Sequence, residues 1–293
     1  MSRIKSFAVG LGDMFYINHG TDNFTIIDCF LNEENSDIIL GQVGPLSRAK
    51  SITRFISTHP DDDHIRGLEA LDDEIHILNF YVVRNKVTKE EDTESFQKYC
   101  ELRDDTNKAF LIYKGCSRKW MNLEGDGRGS SGINILWPDL ANEHFKQALA
   151  DGEAGATPNN ISAIIRYSLN DGAKVIWFGD MHKDFMELIE NDFDTSPVDI
   201  AFAPHHGRRT GRIPTSVLKK LSPKIIILGE AAVEDLDHYT GYNRIPQNIA
   251  GDIILECVEH KVHIFTSKPC SAAFLDNENM TLEGTHYLGT LQV

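Results

Sequence analysis

Ser57-Thr58-His59-Pro60-Asp61-Asp62-Asp63-His64-Ile65-Arg66-Gly67-Leu68 is the stretch on which the reading of this chain turns. It continues the apolar run Arg54-Phe55-Ile56, whose β-branched and aromatic character predicts a short buried strand, and at Ile65 a helical spacing begins. Between them, six residues carry two imidazoles and three carboxylates. Packed on one loop, such groups repel one another and lose hydration unless a cation compensates them. A solvated acidic turn with two incidental histidines is the plain alternative that this loop alone leaves open.

Two further strand ends bear on that choice. The apolar run KVIWF at 174–178 ends in Gly179-Asp180, and DIAFAP at 199–204 ends in His205-His206-Gly207. An aspartate after a strand is most often a turn former. Three strand ends presenting His or Asp in one chain point instead to a shared centre that holds metal.

Working outward, the 293 residues have ordinary apolar and charged fractions, enough for one large α/β domain or two small ones. No run approaches the roughly 20 apolar residues of a membrane helix, and the start lacks the pattern of a secretory signal, so a cytoplasmic protein with no membrane contact is expected. The five cysteines are scattered and form no C-x-x-C, so neither a cysteine zinc knot nor a disulfide framework is indicated. With 29 Lys plus Arg against 44 Asp plus Glu, the net charge of −15 disfavours broad coating of nucleic acid.

Alternation predicts an opening hairpin, FYIN and FTIIDC around a polar turn, then a helix near 36–43. Strands are expected at 75–83, 133–138, 161–169, 174–180, 199–204, 224–229, 263–267 and 270–275, with helices at 183–190, 214–221 and 249–260. The charged segment 86–113 reads as helical, and 125–132 and 151–160 as Gly- and Asn-rich loops. Strands in both halves with helices interspersed suit two sheets packed face to face and covered outside by helices. The expected organisation is one domain over 1–293 with a helical insertion near 86–130.

The stretch STHPDDDHIRGL resembles the metal-binding loop of metallo-β-lactamase-fold hydrolases, His-x-His-x-Asp-His, with Asp61 where the second histidine stands. That substitution is similar to the hydrolase domain of ComEC-type competence proteins. Other marks of that branch follow in order: VGLGDMFYI, FTIIDC, INILWP, NNISAIIRY, WFGD and APHHGRRTG, from about Val9 to Gly229. The resemblance implies an α/β fold, a four-layer αββα sandwich of two mixed sheets. It implies two divalent metal ions, one held by His59, Asp61 and one of His205 or His206. The other ion takes Asp63, His64 and the second of that histidine pair, with Asp180 bridging. A later histidine also enters some family sites, and His238 is the candidate here beside the alternative of an exposed loop residue.

An aspartate in place of an imidazole adds a hard donor and moves preference from Zn toward Mn, leaving both compatible. A binuclear site brings the pKa of a bridging water toward neutrality and so supplies a hydroxide nucleophile for hydrolysis. Asp63 and His206 are candidates for proton transfer, and Asn160 for a hydrogen bond to substrate or water, or for an ordinary turn. Arg208, Arg209 and Arg212 directly follow the histidine pair, and guanidinium forks match phosphate oxygens. An anionic phosphodiester is therefore the expected substrate of a nuclease-like enzyme or phosphodiesterase, with a nucleotide or single-stranded nucleic acid both open. Two rivals stand beside it. One is a hydrolase of a thioester, lactone or lactam on the same scaffold; the other is a metal-stabilised, non-catalytic binding or sensor subunit with a partner protein in a bacterial defence system.

Overall fold

Alternating burial turns the first third of the chain into a sheet. In the computed structural model, which describes residues 1–232 and 238–293, the strands here are β1 (Ser2–Ser6), β2 (Phe15–Asn18), β3 (Asn23–Ile27), the short β4 (Cys29–Phe30), β5 (Ile52–Ser57), β6 (Phe80–Val82) and β7 (Ala109–Leu111). Between them lie α1 (Ser36–Arg48), α2 (Asp62–Ile65), α3 (Leu68–Ile75) and α4 (Glu94–Asp104). Then come β8 (Ile133–Trp137), α5 (Glu143–Glu153), β9 (Ile164–Ser168), β10 (Lys174–Trp177), α6 (Lys183–Leu188), β11 (Ile200–Phe202), α7 (Thr215–Leu221) and β12 (Ile225–Leu228). The chain closes with β13 (Arg244–Pro246), α8 (Gln247–Ala250), β14 (Ile253–Val258), β15 (Lys261–Thr266) and β16 (His286–Gln292).

Two mixed sheets result. The larger runs β16-β15-β14-β1-β2-β3-β5-β6-β7, parallel from β3 through β7 and antiparallel elsewhere; the smaller runs β13-β12-β11-β10-β9-β8, parallel from β13 to β10. Period-two alternation gives β2, β3, β5 and β6 of the larger sheet two apolar faces. Phe15, Ile17, Ile27 and Ile56 point to the smaller sheet, where Phe15 meets Trp177 and Phe202 edge-on with ring centroids 6.1 and 4.9 Å apart. Phe24, Ile26, Phe55 and Phe80 point the other way and pack under Val43 of α1, Leu71 of α3 and Tyr99 of α4. Phe145 of α5 and Phe185 of α6 clasp Trp137, and Val217, Leu218 and Leu221 of α7 join the same core. The layers are thus helix, sheet, sheet, helix, the αββα order that the sequence leads one to expect.

Three local expectations need correction. The segment 249–260 is not a helix: one helical turn ends at Ala250, and Ile253 to Val258 form β14, held between β1 and β15. Its near-continuous apolar run fits a central strand as well as a helix, and the two partner strands decide it. Residues 270–275 form turns and loop with Phe274 exposed, and Asp276 just after them makes an isolated bridge to Thr290 of β16. β1 and β16, too polar to stand out, complete the sheet beside β2 and β15. Within 86–130 the helical part is α4, capped by Thr93 Oγ1 accepting from Phe96 N. It is followed by β7, which pairs with β6, and by turns.

Candidate metal centre

Parallel strands end side by side, so their carboxyl ends make a natural crevice. β3 and β5 run parallel with Ile27 opposite Ile56, which brings Asp28, just past β3, against Thr58, just past β5. Asp28 Oδ1 accepts from Thr58 N at 2.7 Å and Asp28 Oδ2 from Thr58 Oγ1 at 2.6 Å. The chain then passes His59 and Asp61 and enters α2, on which His64 is fully buried. In the smaller sheet, β10 leads into Gly179-Asp180 and β11 into His205-His206-Gly207. His205 N donates to Gly179 O at 3.0 Å, tying these two ends together.

The turns are locally strained. Asp28, His205 and His206 have φ of 56°, 52° and 56°, the left-handed region that non-glycine residues seldom enter. Gly179 has φ 54°, and a Cβ there would lie 2.8 Å from Ser162 Oγ and 3.0 Å from Thr58 Cβ, so the approach of the two sheets requires glycine at this point.

The side chains converge. His64 Nε2 lies 3.0 Å from Asp180 Oδ1 and 4.0 Å from Asp63 Oδ1; His206 Nε2 lies 3.3 Å from Asp63 Oδ2 and 3.4 Å from Asp180 Oδ2. The His59 and His64 rings are 4.2 Å apart, and His59 Nε2 is 3.9 Å from Asp61 Oδ2. His205 Nε2 is 3.6 Å from Asp180 Oδ2. The seven residues expected as ligands therefore meet in one place. Among the described residues, one ligand atom each from Asp13, His64, Asp180 and His206 lies within 4.8 Å of all the others.

Each ring is held from behind. His64 Nδ1 donates to Asp28 Oδ2 (2.8 Å) and His206 Nδ1 to Asp13 Oδ1 (3.1 Å), while the Nδ1 atoms of His59 and His205 meet the hydroxyls of Thr58 (3.0 Å) and Thr210 (2.9 Å). This is the arrangement that fixes tautomer and orientation in metal-binding imidazoles. His59 Nε2 is buried without a hydrogen-bond partner, and His64 Nε2 and Asp180 Oδ1 face each other at 3.0 Å with no other partner, a state that a cation would relieve. The donor set, imidazole nitrogens with aspartate oxygens, fits Zn or Mn.

Protons take the place of cationic charge here. Burial alone would depress His64 and His206, but Asp180 with Asp28, and Asp13 with Asp180, hold their pKa well above the ordinary imidazole value. Burial likewise opposes ionisation of Asp180, and His64 and His206 reverse it, keeping that carboxyl well below the usual range. His59, dominated by burial and the neighbouring His64, falls to about 4.

Asp13, Asp28, Thr58 and Thr210 escape a reading of the sequence alone. Asp13 and Asp28 look there like ordinary turn residues after GLG and after a strand, although both lie within the stretches VGLGDMFYI and FTIIDC that carry the resemblance. Asp61 also pairs with Lys89, whose Nζ is 2.7 Å from Oδ1. Asn160 is turned to the backbone, its Oδ1 accepting from His182 N at 3.1 Å, and so braces the turn after Asp180. Arg208 Nη1 lies 3.1 Å from His205 Nε2, which places a guanidinium at the rim and leaves His206 the more enclosed of the two histidines. Arg209 is exposed and Arg212 half-buried. His238 is half-buried, and the residues leading into it, 233–237, lie outside the described residues. His263 is buried with Nδ1 2.8 Å from Thr290 Oγ1, and His260 is exposed, both away from the cluster in the sheet of β14 to β16.

No family model and no curated protein matches the chain. Solved structures that it resembles include a metallo-hydrolase from the archaeon Ignicoccus hospitalis (16% identity, 78% of this chain and 83% of that one, TM-score 0.46). A protein of Thermotoga maritima, described as a Zn-dependent hydrolase of the metallo-β-lactamase superfamily, has 14% identity over 84% and 82%, with a TM-score of 0.34. The long form of RNase Z from yeast has 11% identity over 85% of this chain and 40% of that one, with a TM-score of 0.40.

Proposed function

We propose that this chain is a metal-dependent phosphodiesterase that takes two divalent cations, Zn or Mn. The observation that carries the reading is the meeting of four imidazoles and three aspartates from two sheets beside the guanidinium of Arg208, which has no carboxylate partner among the described residues. His59 and Asp61 with one of His205 or His206 would hold one cation, Asp63 and His64 with the other histidine the second, and Asp180 lies within reach of both groups. When bound, such cations supply Lewis acidity and make a coordinated water acidic enough to attack near neutral pH.

The chain's own groups do the rest. Asp28, Asp13 and Thr58 keep the imidazole Nε2 atoms aimed inward. Buried Asp180 excludes bulk water from the floor, and Arg208 stands where it can bind a non-bridging phosphate oxygen as a fork. An uncharged carbonyl has no use for that guanidinium, which favours phosphodiesters over thioesters, lactones or lactams.

Turnover of bis(p-nitrophenyl) phosphate with added Mn²⁺ or Zn²⁺, set against a panel of thioesters and lactones, tests this. The diester should be the preferred substrate. Asp180→Asn should abolish its turnover, and Arg208→Ala should raise KM by roughly tenfold, a loss on the scale of one charge-assisted hydrogen bond. Ester turnover without diesterase activity would overturn the reading.

A further inference from the structure

A cleft of about 860 Å³ opens on the Asp61 side of the cluster, between α2 and the segments 87–93 and 154–158. It has the size of a site for a small ligand. Ile65, Val87, Phe96 and Pro158 give it apolar walls, and Asp61 joins it to the candidate metal centre. None of Arg208, Arg209 and Arg212 lines it.

Its charges are lopsided. Four carboxylates line the cleft (Asp61, Asp62, Glu90 and Glu91) against two cations, Lys89 and Arg66. Both cations are already engaged, Lys89 with Asp61 at 2.7 Å and Arg66 with Asp62. Glu90 and Glu91 are exposed and have no ion-pair partner among the described residues. An arm of substrate lying here thus meets the uncompensated charge of Glu90 and Glu91, while the guanidinium of Arg208 stands at the His205 rim.

We infer that this cleft receives one ester arm of the substrate and rejects an arm that carries a phosphate. The substrate class is then a small compound with a single phosphodiester between uncharged groups, not a nucleic-acid strand. The inference rests on the phosphodiesterase reading above and narrows it. Like-charge juxtaposition serves here as the discriminating element, excluding a competitor whose reacting group is identical.

The test uses the Mn²⁺-loaded protein and three probes: thymidylyl-thymidine, the same compound bearing a terminal phosphate, and a ten-nucleotide thymidine strand. The unphosphorylated dinucleoside should have a kcat/KM at least about tenfold above the other two. In a Glu90→Gln/Glu91→Gln variant with an unaltered thermal melt, that gap should close to within about threefold through a lower KM for the phosphorylated probes. Calorimetric binding of the same probes to the metal-free protein gives a readout independent of turnover and should show the same order. Equal turnover of all three by the wild type, or a gap that the double variant leaves intact, overturns the inference while the diesterase reading stands. If none is turned over but the binding order holds and depends on Glu90 and Glu91, the chemistry is misread and the charge selection is upheld.

Discussion

Asp28→Asn is the most revealing single change in this protein. Asp28 accepts three hydrogen bonds, from Thr58 N, Thr58 Oγ1 and His64 Nδ1. Asparagine tolerates the φ of 56° and has nearly the same shape, so the turn itself should survive. Its amide, however, has one acceptor oxygen. With that oxygen kept on Thr58 N, an NH₂ faces His64 Nδ1, and two donors oppose each other. The neutral ring that metal binding requires then keeps its remaining proton on Nε2, the atom that points at Asp180 from 3.0 Å. A protonated Nε2 offers no lone pair to a cation. Loss of such a supporting carboxylate typically costs about 10- to 100-fold in metal affinity, which corresponds to about 1.4–2.7 kcal/mol. Competition for Zn²⁺ or Mn²⁺ against a chromophoric chelator measures it directly, and a thermal melt of the metal-free protein controls for folding. Affinity within twofold of wild type, at an unchanged melt, would refute the claim that Asp28 sets the His64 tautomer.

Other expectations concern the same region. Asp13→Ala should lower metal affinity by roughly tenfold by freeing the His206 ring, read in the same competition assay. Gly179→Ala places a Cβ 2.8 Å from Ser162 Oγ at a φ of 54° and should cost about 1–3 kcal/mol of stability, measured by denaturant unfolding. The metal-free protein should lose stability as pH rises. His64 and His206 have folded-state values above the unfolded value of about 6.5, so their contribution is complete below that pH and is lost as pH climbs through the raised values. His59, lowered to about 4, and His19 and His205, also lowered by burial, act the opposite way while the unfolded chain still holds protons near 6.5, a slope that dies away within about one pH unit above it. With a saturating cation the trend should reverse, because metal binding displaces those protons and tightens with pH. Melting temperatures from about pH 7.5 to 9, with and without Zn²⁺, decide the point, and a metal-free melt that rises with pH over that range contradicts it.

Much of the architecture was legible because apolar periodicity reports burial directly. The runs ending at Ser57, Phe178 and Pro204 are buried on both faces and announce themselves as strands. The segment 249–260 misleads for the same reason, since Ile253, Ile254, Leu255 and Cys257 suit a helix face or a central strand equally until β1 and β15 are in place. In the site, His59 to His64 stand out through density of charge within one loop. Asp13 lies 193 residues from His206, the ring it supports, and only the folded chain joins them. Asn160 shows the converse: a polar residue near the right place whose oxygen serves the backbone. Asp61 is intermediate, since its departure from histidine is visible in the sequence but its pairing with Lys89 is not.

The candidate ligands come from two layers, His59 and His64 after β5 of the larger sheet, and Asp180 and His206 after β10 and β11 of the smaller one. A cation seated between them would act as a rivet through the sandwich at one end, adding to the hydrogen bond from Ala163 N to Thr58 O and the pairing of His64 with Asp180 that join the layers there. Its removal should loosen that rim first, with amide exchange speeding up at 58–64, 178–182 and 203–208 while the aromatic contacts of Phe15, Trp177 and Phe202 stay protected.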